Sequence, residues 1–260
     1  MTNACPCVAP ERSRAEDRVP DTSVVIAAGG IGERFGDPIG KQFVNLCGLP
    51  LACWSIMACA AAPSVGELVI VCSPDRRQLM EEQVLAPLAL TKPVRFADAG
   101  KVRQVSCLNG VRATSPEFTY VAFQDAARPL TTTETVEGAL ALLREDPEVD
   151  CVVCSQRAVD TLKHCDGDVV MATPDRTQFW QAQTPQIMRR ETALIAHEQA
   201  AEAGVVATDD SSLVERLGGR IRCYASDWGN IKVTVPGDLI IAKAILEARL
   251  KEQARVAWEA

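Results

Sequence analysis

The residues best placed to do chemistry lie just after the first β-branched run. Val24 to Ala27 leads into Ala28-Gly29-Gly30-Ile31-Gly32-Glu33-Arg34-Phe35-Gly36, where small residues let backbone amides approach an anion without side-chain interference. Arg34 and Lys41 follow closely and supply cations for a polyphosphate. Spacing excludes two common alternatives. A dinucleotide loop of the form G-x-G-x-x-G requires glycine where Phe35 stands after Gly30 and Gly32. A Walker loop fails as well, because Gly36 and Gly40 stand one residue too close and Gln42 replaces the magnesium-binding Ser or Thr. What remains is a glycine loop suited to a triphosphate, set against the plainer alternative of a strand-to-helix turn with solvated charges.

The surrounding elements must carry this loop. Short β-branched runs alternate with helix-length segments, the pattern of parallel strands joined by crossover helices. Strands are expected at Ser23 to Ala27, Glu67 to Cys72, Tyr120 to Gln124 and Asp150 to Ser155. Leu51 to Ala61, Arg76 to Leu85, Val102 to Ala113 and Thr133 to Leu143 space apolar residues as amphipathic helices do. The fold class is α/β: a single Rossmann-like domain over 22–260, with a twisted, mostly parallel sheet covered by helices on both faces. Ligands in such folds lie beyond the carboxyl ends of the strands. Past Ser155 the rhythm breaks, and about 158–178 reads as an extended polar arm without helical period. Helices near Arg189 to Ala203 and Asp210 to Leu217, a strand at Arg220 to Tyr224 and a last helix from about Gly237 to Arg255 complete the chain. Residues 1–21, with Pro6, Pro10 and Pro20 among alternating charges, read as a disordered cytosolic leader.

Composition narrows the partners. The 260 residues are 47% hydrophobic and 23% charged, enough for one sizeable core. The apolar stretches stop short of a membrane span. A net charge of −7 argues against broad nucleic-acid binding, which needs a basic face, and favours a small-molecule partner; a cytoplasmic location is expected because the first twenty residues lack the apolar core of a secretory signal. Most of the eleven cysteines sit in apolar runs and act there as small hydrophobes. Cys151 and Cys154 are separated by Val152 and Val153 and read as part of a buried strand. No second such pair completes a zinc site, and His164 and His197 alone cannot build a histidine-rich metal centre.

The loop, with Gly40-Lys41-Gln42-Phe43, resembles the start of the 2-C-methyl-D-erythritol 4-phosphate cytidylyltransferase family. Further blocks agree in order: Arg103-Gln104-Val105-Ser106, Asp125-Ala126-Ala127-Arg128-Pro129, Asp160-Thr161-Leu162-Lys163, Gln183-Thr184-Pro185-Gln186, Thr208-Asp209-Asp210 and Asn230-Ile231-Lys232-Val233-Thr234. The resemblance spans about Ser23 to Leu246. It implies transfer of a cytidylyl group from CTP to a polyol phosphate in isoprenoid precursor synthesis, with magnesium as divalent cation and a homodimer as the assembly. It implies that Ala27, Ala28, Gly29, Gly30, Ile31 and Gly32 hold CTP, that Asp125 and Ala126 border the nucleotide, and that Arg34 and Lys41 stabilise the pentavalent transition state. Such a reaction brings anions together, so cations that grip the developing charge lower the barrier most. Asp125, at the end of its strand, is placed to approach the ribose or the metal water shell, with a helix cap as the bland alternative.

The same resemblance sets Gly100, Arg103 and Ser106 around the cytosine or its supporting loop. Lys101 departs from the family's acidic or polar choice there, and an ammonium cannot accept a hydrogen bond from the cytosine amino group. Gln124 replaces a histidine often found before the Asp-Ala-Ala-Arg-Pro block. Arg128, Arg176 and Lys232, helped by Thr161 and Thr208, are implied for the acceptor phosphate, with the arm delivering Thr161 and Arg176 to a partner subunit. Two alternatives stay open: a ribitol 5-phosphate cytidylyltransferase, which shares the first loop, and a silent nucleotide-binding protein, which would not need Arg34, Lys41, Arg176 and Lys232 together.

Overall fold

The computed structural model describes residues 19–30, 32 and 34–259. The expected leader falls largely outside the described residues, as does Ile31 of the glycine loop. The chain opens with β1 (Thr22–Ala27), whose Val24 and Ile26 face one side of the sheet and Val25 the other, all fully buried. A small hairpin of β2 (Asn45–Leu46) and β3 (Leu49–Pro50) leads into α1 (Leu51–Ala61), then β4 (Val65–Cys72). The helix expected over Arg76 to Leu85 is wound in pieces: α2 (Arg77–Leu79) continues into a π-helical stretch at Met80–Leu85. After β5 (Val94–Asp98) come α3 (Arg103–Ala113), β6 (Tyr120–Asp125), α4 (Thr133–Glu145) and β7 (Cys151–Arg157). The start of α4 is fixed by Thr132, whose side chain accepts from Thr135 N–H, satisfying an otherwise orphaned donor of the first turn.

The arm is not irregular throughout, as its lack of helical period suggests. It holds a hairpin, β8 (His164–Asp166) and β9 (Val169–Ala172), turning at Gly167 with φ +57, a conformation glycine adopts without steric cost. The chain then re-enters the sheet as β10 (Trp180–Arg189) and finishes with α5 (Arg190–Glu202), α6 (Ser211–Arg216), β11 (Ile221–Ala225) and α7 (Pro236–Glu259).

The main sheet runs β11-β7-β10-β6-β1-β4-β5. All pairings are parallel except those of β10, which is antiparallel to both neighbours. Helices α1 and α4 bury Ile56, Leu140 and Leu143 against one face. On the other, α3, α5 and α6 bury Val111, Ala196 and Val214. The α3 packing is close, since a Cβ on Gly110 would meet Val25 Cγ1 at 2.4 Å. A third cluster seats α7 through Ala242 and Leu246 on Leu51, Leu130 and Val233.

From β1 the chain goes to β4 and β5 on one flank, then crosses to β6 on the other flank. The strand order therefore reverses between β1 and β6, the switch point where α/β sheets open a crevice at their carboxyl ends. Ala27 and Asp125, the last residues of these strands, are register partners, so the chemistry of both loops converges at one place.

Candidate active site

A cleft of about 420 Å³ opens at this switch point, a volume in the usual range for small-ligand sites. Its walls come from the ends of several strands: Ala27 to Gly30 after β1, Gly100 to Arg103 after β5, and Asp125 to Ala127 after β6, with Lys41, Gln42, Ser106 and Lys232 closing it. The first two loops press together. A Cβ on Gly29 would stand 2.4 Å from the Ala99 Cβ, so glycine there lets the β1 loop reach the β5 loop at all. Ser106 Oγ accepts from Gly100 N–H at 3.0 Å and donates to Val102 O at 3.2 Å. It thereby holds the β5 loop.

The cations divide into two groups. Lys41 Nζ donates to Val233 O at 2.8 Å, and Val233 N–H donates to Ala127 O at 2.8 Å. The stretch carrying Lys232 is therefore clamped between the first-loop lysine and the end of β6. Burial, and then the Lys232 charge, lower the Lys41 ammonium from its ordinary pKa, with Arg34 adding to the effect. Arg34 itself is exposed beside the cleft.

Asp125 is the hub of the second group. It is 6% exposed, and its carboxylate faces Arg103 Nε at 3.1 Å, Lys232 Nζ at 2.7 Å and Arg128 Nε at 3.8 Å. Burial alone would favour the neutral acid, but Arg103 and Lys232 outweigh it and hold the carboxyl far below the usual carboxylate range. Its backbone N–H donates to Thr184 Oγ1 at 3.0 Å. Arg103, expected around the cytosine or its supporting loop, lines the cleft beside Gly100 and sets its guanidinium between Asp125 and Asp210, with Nη1 2.7 Å from Asp210 Oδ2. Arg128 is 8% exposed and donates through Nη1 to Asn230 O at 2.7 Å, while its buried Nε makes no hydrogen bond.

A smaller cavity of about 110 Å³ adjoins the cleft and shares Arg103, Asp125 and Lys232 with it. Arg128, Gln183, Thr184 and Thr208 line it. Thr161 and Arg176 lie elsewhere. Both are on the arm, and Arg176, exposed there, donates through Nη1 to Val159 O at 2.6 Å.

Sequence reasoning missed the buried supports. Asn230 is 0% exposed; its Nδ2 donates to Thr184 O and Gln183 Oε1 and its Oδ1 accepts from Thr131, at 2.9, 3.1 and 2.9 Å. Asp210 and His197 are equally hidden, and no spacing in the sequence links them to Arg103. The C-x-x-C thiols lie inside β7, where burial pushes both upward and keeps them protonated. Among the described residues, no cluster of three or more His, Cys, Asp or Glu side chains is arranged as a metal site, and no helix is long and apolar enough to cross a membrane.

A mostly parallel sheet, a glycine loop at its switch point and lysines converging on one cleft define a nucleotidyltransferase. A family model described as 2-C-methyl-D-erythritol 4-phosphate cytidylyltransferase matches residues 22–248. The enzyme of that name from Caldanaerobacter subterraneus subsp. tengcongensis is 35% identical over 229 residues, covering 87% of this chain and 99% of the relative. That of Geobacillus thermodenitrificans is 37% identical over 229 residues, covering 88% and 98%. The crystal structure of 4-diphosphocytidyl-2C-methyl-D-erythritol synthase from Anaerococcus prevotii shares the fold with a TM-score of 0.78 at 22% identity, over 88% of this chain and 96% of that one. The 2-C-methyl-D-erythritol 4-phosphate cytidylyltransferase of Thermus thermophilus gives 0.70 at 25% identity, over 86% and 98%. The chain belongs to the 2-C-methyl-D-erythritol 4-phosphate cytidylyltransferase family.

Proposed function

We propose that this protein transfers the cytidylyl group of CTP to 2-C-methyl-D-erythritol 4-phosphate, releasing pyrophosphate, in non-mevalonate isoprenoid precursor synthesis. The observation that carries the site assignment is the position of Lys232, which lines both the large cleft and the smaller cavity. The cleft takes CTP, its triphosphate against Gly29, Gly30 and Gly32 and its base toward Gly100 and Ser106. The smaller cavity takes the acceptor phosphate beside Thr208, Arg128 and Lys232. An acceptor phosphate oxygen attacks the α-phosphorus, the bond to the bridging oxygen breaks, and pyrophosphate leaves with the electron pair. Lys41, Lys232 and Arg34 hold the negative charge that grows on the pentavalent centre. No proton relay or protein nucleophile is required.

Magnesium fits this site as a companion of the triphosphate. Asp125 offers one ionised, acceptor-only carboxylate at the cleft, and magnesium ordinarily takes one or two carboxylates and completes its shell with phosphates and water. When bound, the ion would neutralise phosphate charge; Asp125 is the residue to hold it or its water. The active unit is a homodimer in which Thr161 and Arg176 of the arm serve the partner's acceptor phosphate. Support comes from the arm's exposed Val169, Val170 and Met171, 60%, 54% and 62% accessible, on a hairpin that a single chain leaves uncovered. A cytoplasmic location accords with the unpaired described cysteines, since thiols stay reduced there.

The test is pyrophosphate release from CTP with 2-C-methyl-D-erythritol 4-phosphate and ribitol 5-phosphate in parallel. The proposed function requires higher kcat/KM with the first; preference for ribitol 5-phosphate, or no turnover with either, would refute it.

A further inference from the structure

Behind the cleft a buried line of polar and charged groups runs from His197 to Asp125 at the cleft wall. His197 Nε2 lies 3.3 Å from Asp210 Oδ1, Asp210 Oδ2 lies 2.7 Å from Arg103 Nη1, and Arg103 Nε lies 3.1 Å from Asp125 Oδ1. His197 and Asp210 are 0% and 1% exposed. Asp210 precedes the first residue of α6, where an aspartate would ordinarily cap the helix, yet it makes no side-chain cap bond. Asp209 takes that duty, its Oδ1 accepting from Ser212 N–H at 3.0 Å. The Asp210 carboxylate is thus free of local work and turned wholly inward.

We propose that Asp210 is a positioning residue for cytidylyl transfer, acting through Arg103 to keep Asp125 Oδ2 available to Lys232. A guanidinium is a planar fork that grips a carboxylate with two nitrogens when nothing else engages it. Here one prong is held by Asp210, so Arg103 meets Asp125 through Nε on Oδ1 and leaves Oδ2 to Lys232 at 2.7 Å. Without the second carboxylate, Arg103 turns its full fork onto Asp125, and Lys232 loses its seat between the two cavities. Asp210 thereby sets the place of an ammonium it never contacts. The effect rests on the role proposed above for Lys232, so the test needs a readout that does not depend on the acceptor.

Asp210→Asn removes the charge at nearly constant shape. In steady-state assays the variant should lose roughly tenfold or more in kcat/KM for 2-C-methyl-D-erythritol 4-phosphate, a larger fold-change than that in the Kd for CTP by calorimetry, although Arg103, Asp125 and Lys232 also line the CTP cleft. Independently, acylation of Lys232 by an amine-reactive ester, followed by peptide mass, should run several-fold faster than in the wild type. Unchanged kcat/KM together with unchanged labelling overturns the proposal, as does a loss confined to CTP affinity. If the wild type is silent with this acceptor, the proposed substrate fails, and the labelling rate still decides the anchor. Should Asp210→Asn not fold, the double variant Arg103→Gln/Asp210→Asn leaves no lone buried charge. It must match Arg103→Gln in both readouts; a clearly worse double variant contradicts action through Arg103.

Discussion

Lys232 Nζ sits 2.7 Å from Asp125 Oδ2, so the cation between the two cavities rests on a carboxylate before any phosphate arrives. Asp125 also faces Arg103 and Arg128, and one anion among these cations offsets their mutual repulsion. Arriving phosphates meet lysines already in place, which is the preorganisation that makes such charges effective in the transition state.

Asp125→Asn should therefore destabilise the fold as well as the reaction, because it strands buried cations. A loss of roughly 3–5 kcal/mol near neutral pH is expected for removing one partner of a buried pair. The pH dependence follows from linkage. The folded-state pKa of Asp125 is depressed, so its contribution is present above the ordinary carboxylate range near about 3.9 and is lost as pH falls through the folded value. Thermal melts from pH 7 downward should show the gap between wild type and variant narrowing only below about pH 4; a constant gap contradicts the assignment.

Lys41→Ala should lower kcat on the order of a hundredfold or more with a smaller rise in KM for CTP. Because burial and Lys232 lower the Lys41 pKa in the free protein, kcat/KM for CTP should also decline on the alkaline side before an ordinary lysine, near about 10.4, would titrate. Lys41→Arg should move that limb upward. A pH profile that is the same in wild type and Lys41→Arg removes Lys41 as its source.

Gly29→Ala tests the seam between the loops. The new methyl would overlap the Ala99 Cβ, forcing the β1 and β5 loops apart on the very walls that hold the nucleotide. KM for CTP should rise by more than tenfold with a modest fall in Tm, and unaltered CTP binding would show that the two loops do not jointly form the nucleotide wall.

Shared sites can be read by complementation. A chain carrying Lys41→Ala and one carrying Arg176→Ala should each be inactive, yet a heterodimer of the two holds one intact site if the arm crosses. About half the wild-type rate per heterodimer is expected on that geometry. No recovery after exchange is confirmed by mass would assign Arg176 to its own chain.

Much of this fold is legible from the sequence because burial on both faces leaves runs such as Val24 to Ala27 and Cys151 to Ser155 strongly β-branched and apolar. β10 was not legible. Its Gln183, Thr184, Pro185 and Gln186 look like loop, and they are buried within the sheet with partners far away in sequence, as when Gln186 Nε2 donates to Asp209 Oδ2 at 2.9 Å and its Oε1 accepts from Ser211 N–H at 2.8 Å. β5 is short and mixes Arg95 and Asp98 into an edge. Of the site, the glycine loop and the motif residues could be named in advance. What Arg103 does could not, since its partner Asp210 comes from a distant part of the chain, beside α6, and meets it only in the folded protein.

Attack by the acceptor phosphate on the α-phosphorus of CTP can be followed with labelled nucleotide. Wild-type enzyme should be incubated with 2-C-methyl-D-erythritol 4-phosphate and CTP carrying radioactive phosphorus at either the α or the γ position. With α-labelled CTP, label is expected in a diphosphocytidyl product that retains the acceptor's own phosphate; with γ-labelled CTP, label is expected in pyrophosphate alone. Transfer of γ-label to the acceptor, or release of labelled CMP without its capture, would contradict attack at the α-phosphorus by the acceptor.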